Sequence, residues 1–193
     1  MIDYIKGEIV ELSPTRMVME CSGIGYEINI SLTTFTAFSG KNSGTIYVYE
    51  VIREDAHLLF GFSGKKEREL FLLLISVSGV GPNTARMILS SLQTDDLIQV
   101  IASGNDAALT SVKGIGSKTA QRIMVDLKGK VKTMGSVEPS LRTGNTNVTD
   151  EAIAALIMLG FQKNASQKVV DSILKSTPNL SVEQVIKAAL RML

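Results

Sequence analysis

Tryptophan is absent from this 193-residue chain, cysteine and histidine occur once each, and proline four times. A single cysteine, Cys21, excludes an internal disulfide framework and any cysteine-based zinc site. A single histidine, His57, excludes the two-histidine helical zinc motif. Both residues read as structural. Charge of one sign is not in excess either: twenty basic against nineteen acidic side chains leave +1. A polybasic coat is therefore absent, although a total can hide opposite local charges. The densest apolar run, Leu70 to Val77, is far too short to span a bilayer. The N-terminus alternates charged and apolar residues from Asp3 onward, unlike a signal peptide. What is present is a 45% apolar composition, enough to bury a core and to exclude wholesale disorder. The length suits one compact domain or two to three small ones. The expectation is a soluble, intracellular protein.

Three segments follow one another along the chain. Residues 1–63 alternate apolar and polar side chains in Tyr4–Glu11, Arg16–Cys21, Tyr26–Ile30, Thr45–Val51 and Leu58–Phe62, the period of half-buried strands. Turn residues lie between them at Ser13-Pro14, Ser22 to Gly25 and Gly40 to Gly44. Five short strands suit a small closed sheet such as an OB-type barrel, with an open meander nearly as compatible. Residues 64–133 switch to helical spacing. Met134 to Asn147 has linker composition, rich in Gly, Ser, Thr and Asn, with an r.m.s. reach of roughly 20 Å. Residues 148–193 predict three short helices, with Thr149 and Asn164 as caps for the first two and Ser181 to Gln184 as a capping box for the third. Gly160 is placed to end the first of them. The fold class expected is therefore α+β and multidomain: a strand barrel, a helical domain, a flexible linker and a miniature three-helix bundle.

Charge divides unevenly among these segments. Residues 1–63 carry four basic and eight acidic side chains, a net of −4. Residues 64–134 carry ten and six, a net of +4, and residues 135–193 carry six and five. The middle segment is suited to polyanions and the first to repelling them.

The middle segment also repeats itself at an offset of 35 residues. Leu74–Leu92 aligns without gaps on Leu109–Leu127, and nine of nineteen positions are identical, both glycines and the Thr-Ala pair among them. Each copy reads as a helix, a Gly-apolar-Gly turn and a second helix, the helix-hairpin-helix pattern. Two glycines permit backbone dihedrals closed to other residues and let a phosphate approach without a Cβ in the way. The helix that follows offers unpaired N–H groups and a partial positive charge. The candidate DNA-binding residues are Gly79, Val80, Gly81, Asn83 and Thr84 in the first copy. Those of the second are Gly114, Ile115, Gly116, Ser117, Lys118, Thr119 and Arg122. Val80 and Ile115 pin the turns into the core. Such a turn grips phosphates and ignores bases, so binding is expected to be insensitive to sequence. Lys118 and Arg122 face Asn83 and Met87 at the matching positions, so the second hairpin is expected to bind more strongly. Gly116-Ser117-Lys118-Thr119 lacks the spacing of a P-loop, and neither turn has the third glycine of a dinucleotide fingerprint. No nucleotide site and no cofactor are expected.

The order of motifs resembles the RuvA family of bacterial Holliday-junction-binding proteins. The resemblance is carried by Met1-Ile2, Lys6-Gly7, Gly23-Ile24-Gly25-Tyr26-Glu27, Arg53-Glu54-Asp55-Ala56 with Leu58 to Phe62, both hairpins, and Ala154-Ala155-Leu156 to Leu159-Gly160-Phe161. It covers essentially all of the chain except the linker. It implies an OB-fold first domain bearing an acidic pin at Glu54 and Asp55, a tandem helix-hairpin-helix domain, and a third, UBA-like bundle that binds the RuvB motor ATPase. Leu159 and Phe161 are the candidate partner-binding residues there. The resemblance further implies a homotetramer, single or paired, on an open four-way DNA junction. RuvC resolvase would join the larger complex, acting in recombination and DNA repair in the bacterial cytoplasm at the nucleoid.

Helix-hairpin-helix modules also occur in DNA glycosylases and nucleases, and an enzyme of that kind is the competing expectation. Asp95-Asp96 follow the first copy and Asp126 ends the second, but the segment offers no aromatic base pocket. A metal nuclease needs converging carboxylates, for which Glu54-Asp55 is the one close pair with family support.

Overall fold

The computed structural model describes residues 1–134 and 146–193, which fall into two compact units divided after Val137. In the first unit, strands β1 (Tyr4–Ser13), β2 (Arg16–Cys21), β3 (Ile24–Ile30), β4 (Ser43–Ile52) and β5 (His57–Phe62) close into a barrel in the order β1-β2-β3-β5-β4. Closure depends on the parallel pairing of β3 with β5, through Ile28–Leu59, Asn29–Phe60 and Ile30–Gly61; the other neighbours are antiparallel. The sheet is therefore closed, as the OB-type reading expects, and not an open meander. Alternation sends Met17, Met19, Ile28, Ile30, Ile46 and Val48 inward to a dry core.

One element was not expected. Helix α1 (Leu32–Phe38) bridges β3 and β4, capped by Ser31 through the Thr34 N–H. Its Phe38 enters the barrel core.

Five helices complete this unit: α2 (Lys65–Ile75), α3 (Pro82–Ser91), α4 (Thr94–Ser103), α5 (Asp106–Thr110) and α6 (Ser117–Met134). They share a core with the barrel. The Phe71 ring lies 5.6, 5.5 and 4.8 Å from those of Tyr49, Phe60 and Phe62, at spacings that favour tilted aromatic contact. A buried polar joint reinforces the seam. Glu67, in the first turn of α2, is 3% exposed. Its carboxylate accepts from the hydroxyls of Ser31 (2.6 Å), Thr34 (2.9 Å) and Ser63 (3.0 Å) and from the Ser63 N–H (3.0 Å). No cation among the described residues takes part. The dipole of α2 favours a negative charge at this end, and the four donors replace its water.

The second unit contains α7 (Thr146–Met158), α8 (Lys163–Ser176) and α9 (Val182–Ala189) around Ala152, Leu156, Val170, Ile173, Val185 and Ala189. The expected capping box is present: Ser181 accepts from the Gln184 N–H, and Gln184 accepts from the Ser181 N–H. Gly160, at φ +98°, ends the first helix turn region after Met158. Two expected caps are corrected. α7 opens at Thr146, which puts Thr149 inside the helix. α8 is preceded by Gln162, which puts Asn164 within its first turn. Of the expected linker, Met134 closes α6 and Thr146 opens α7, while 135–145 lie outside the described residues.

Candidate nucleic-acid interface

The sequence repeat becomes a structural one. The first hairpin is α2, Gly79-Val80-Gly81 and α3; the second is α5, Gly114-Ile115-Gly116 and α6. Their backbones match bond for bond. Val77 N–H donates to Leu74 O and Val112 N–H to Leu109 O, both at 3.1 Å; Val80 N–H donates to Val77 O and Ile115 N–H to Val112 O, both at 3.0 Å. The first glycines adopt φ +90° and +89°, a region other residues enter only with strain. Val80 and Ile115, at 5% and 6% exposure, anchor the turns in the shared core as the sequence suggests.

The anchoring leaves the polar side of each turn outside. Gly79, Gly81, Asn83, Gly114, Gly116, Ser117 and Lys118 are exposed, with Thr84 and Thr119 half-buried. The first-turn N–H groups of Asn83 and Thr84, and of Ser117, Lys118 and Thr119, donate to no acceptor among the described residues. Pro82 opens α3 where Ser117 opens α6, so the second hairpin has one more N–H to offer. Open N–H groups at a helix start, beside a turn without side chains, form an anion site.

The cations are placed less symmetrically than the backbone. The one basic residue of α3, Arg86, is half-buried and turned toward the barrel. It donates to Thr15 O at 3.1 Å and Asn29 Oδ1 at 3.2 Å, and burial lowers its pKa. It docks the helix and is not available at the turn. On α6, Lys118 and Arg122 lie along an exposed face with Gln121, Val125 and Asp126, lining a shallow groove of about 280 Å³. Neither has a carboxylate partner among the described residues. Arg122 does not lie against its own turn: its Nη1 is 3.9 Å from where a Cβ of Gly79 would stand. Lys113, just before Gly114, is exposed too; its match in the first copy is Ser78, which hid it from a reading based on identities.

Glu54 and Asp55 lie at the tip of the β4–β5 hairpin, fully outside. The strands pair up to Ile52–His57, and the Arg53 N–H closes the turn on Ala56 O at 2.8 Å. Lower on the same hairpin, the Ile2 N–H (2.8 Å) and then His57 (3.2 Å) hold the Glu50 carboxyl below its ordinary pKa. The carboxylates considered for enzyme chemistry do not assemble. Asp95 pairs with Lys66 at 2.5 Å, Asp126 stands on the α6 face, and no cluster of three or more His, Cys, Asp or Glu side chains suited to a metal exists among the described residues. No described helix is long and apolar enough to cross a membrane. In the second unit Leu159 is 59% exposed, whereas Phe161 is half-buried against the bundle core.

Family models match three stretches of the chain. Residues 1–61 match the RuvA N terminal domain, 71–129 a SAM-like helix-hairpin-helix tandem, and 147–193 the RuvA C-terminal domain. Proteins named Holliday junction branch migration complex subunit RuvA are similar over their whole length and the whole of this chain. That from Parabacteroides distasonis is 71% identical, that from Bacteroides fragilis 56% and that from Flavobacterium psychrophilum 45%. A five-stranded barrel, a twofold hairpin repeat and a small terminal bundle, matched in that order and at such identity, place this chain in the RuvA family.

Proposed function

We propose that the chain binds four-way (Holliday) DNA junctions without regard to base sequence and serves branch migration as a non-catalytic subunit. The observation that carries this is the pair of matching hairpin turns, each presenting open N–H groups on the one segment with a net charge of +4. Phosphates fit such sites and bases have no part in them. Four equivalent arms are best met by four equivalent subunits, so the working form is a homotetramer, alone or as a facing pair. Each hairpin pair then holds one arm through its minor-groove phosphates.

Glu54 and Asp55 act at the crossover. Four hairpins bring eight carboxylates to the junction centre, where they hold phosphates apart and keep the junction open. At an effective dielectric near 20, a carboxylate about 4 Å from a phosphate costs roughly 4 kcal/mol, and the repulsion fades beyond about 10 Å. It is a local gate. The second unit recruits the RuvB ATPase, which supplies the ATP-driven movement, with Leu159 and Phe161 at the contact; RuvC joins the same assembly.

A gel shift with a synthetic four-way junction, equal-length duplex and excess competitor duplex in magnesium tests this reading. A discrete, uncut complex on the junction alone is expected. Equal retention of duplex, or cleavage products, would contradict it. In the same assay Glu54→Gln/Asp55→Asn keeps or raises junction affinity while the preference over duplex narrows. A large loss of junction affinity in that variant would mean that the two carboxylates support binding and do not gate it.

A further inference from the structure

We infer that Arg122, although it belongs to the second repeat, completes the phosphate site of the first hairpin, while Lys118 serves the second. This rests on the reading that the hairpin turns grip DNA phosphates.

Three observations lead to it. The turn and second helix of the first hairpin offer no free cation, since their one basic residue, Arg86, is committed to Thr15 and Asn29 on the barrel. The Arg122 guanidinium stands beside Gly79, 3.9 Å from the Cβ position there, exposed and without a carboxylate partner among the described residues. The arrangement is not reciprocated. Met87 occupies the matching position of the first repeat, 40% exposed, and among the described residues nothing beyond the glycine's own chain neighbours lies within 4 Å of the Cβ position of Gly114. A guanidinium next to open N–H groups grips a phosphate oxygen pair in a way that a lone ammonium does not. The two hairpins are thereby linked, and of the pair Lys118 and Arg122 only Lys118 is left to the second hairpin on this inference.

Double-mutant cycles on the full chain, read as junction affinity, test the pairing. Gly81→Ala and Gly116→Ala suit the purpose. Neither glycine has a positive φ, and a Cβ at either meets nothing within 4 Å, so each variant folds while its methyl holds a phosphate off the turn. Each of these variants, and Arg122→Ala, is expected to weaken binding at least about tenfold. Combined with Gly81→Ala, Arg122→Ala adds little further loss; combined with Gly116→Ala, the two losses multiply. Lys118→Ala shows the reverse pattern. Arg122→Lys recovers part of the affinity but not the coupling to Gly81. Multiplied losses with both turns, or absorption by Gly116→Ala, would overturn the assignment while leaving the hairpins as DNA sites. If neither glycine variant weakens binding, the hairpin reading itself falls and the inference with it.

Discussion

Replacing Lys118 and Arg122 together by alanine lowers affinity for every junction sequence alike, by about a hundredfold. Each side chain is a cation without a carboxylate partner among the described residues, beside a turn with open N–H groups, and a hydrogen bond to a charged group contributes roughly 1.5–3 kcal/mol. The salt dependence changes with it. The slope of log affinity against log salt becomes shallower by about two per bound subunit, because two phosphate neutralisations are lost. Fluorescence anisotropy on junctions of different base sequence over a salt series measures both quantities. Losses that depend strongly on the bases would refute backbone recognition. An unchanged salt slope would show that these side chains do not meet phosphates.

The second large effect concerns stability. Glu67→Ala removes the acceptor shared by Ser31, Thr34 and Ser63 and leaves their three hydroxyls without it, while the Ser63 N–H keeps Thr34 Oγ1 at 3.1 Å. Stranded buried donors cost the full desolvation of each group, so about 3–5 kcal/mol is expected. For a chain of this size that lowers the midpoint of thermal unfolding by about 10 °C. Glu67→Gln keeps the shape but turns an NH2 toward existing donors, and is expected to lose roughly half as much. Denaturant melts of the two variants against the parent check both figures. A loss under about 1 kcal/mol for Glu67→Ala would mean that water replaces the carboxylate, and that the joint between α2 and the barrel rests on apolar packing alone.

What the sequence made visible, and what it hid, follows from the range of the interactions. The strands were legible because each alternates over several residues, and the hairpins because the same turn is written twice. The Ser181 capping box is local and was legible too. Helix α1 was not: Leu-Thr-Thr-Phe-Thr-Ala-Phe is rich in threonine, which has weak helix propensity, and the helix exists because Phe38 fills the barrel and Ser31 caps it. Thr149 and Asn164 are good cap residues, but the helices begin earlier than they suggest. Glu67 sits within Lys65-Lys66-Glu67-Arg68-Glu69, a run that reads as a solvated face. Its burial depends on hydroxyls contributed from more than thirty residues away. The same limit applies to the cations of the interface. Arg86 and Arg122 look alike in sequence, but one is spent on Thr15 and Asn29 and the other stands at a turn 43 positions before it. Only tertiary placement separates an arginine docked on the barrel from one held beside a turn.

Phosphate ethylation interference on a four-way junction, read beside base methylation interference on the same DNA, decides whether the hairpins hold the DNA by its backbone. Ethylating short clusters of phosphates on all four arms is expected to block binding, at the same distances from the crossover whatever the base sequence, while methylated bases are tolerated. Interference that tracks particular bases, or phosphate contacts confined to one arm, would contradict recognition of the junction by paired hairpins on the DNA backbone.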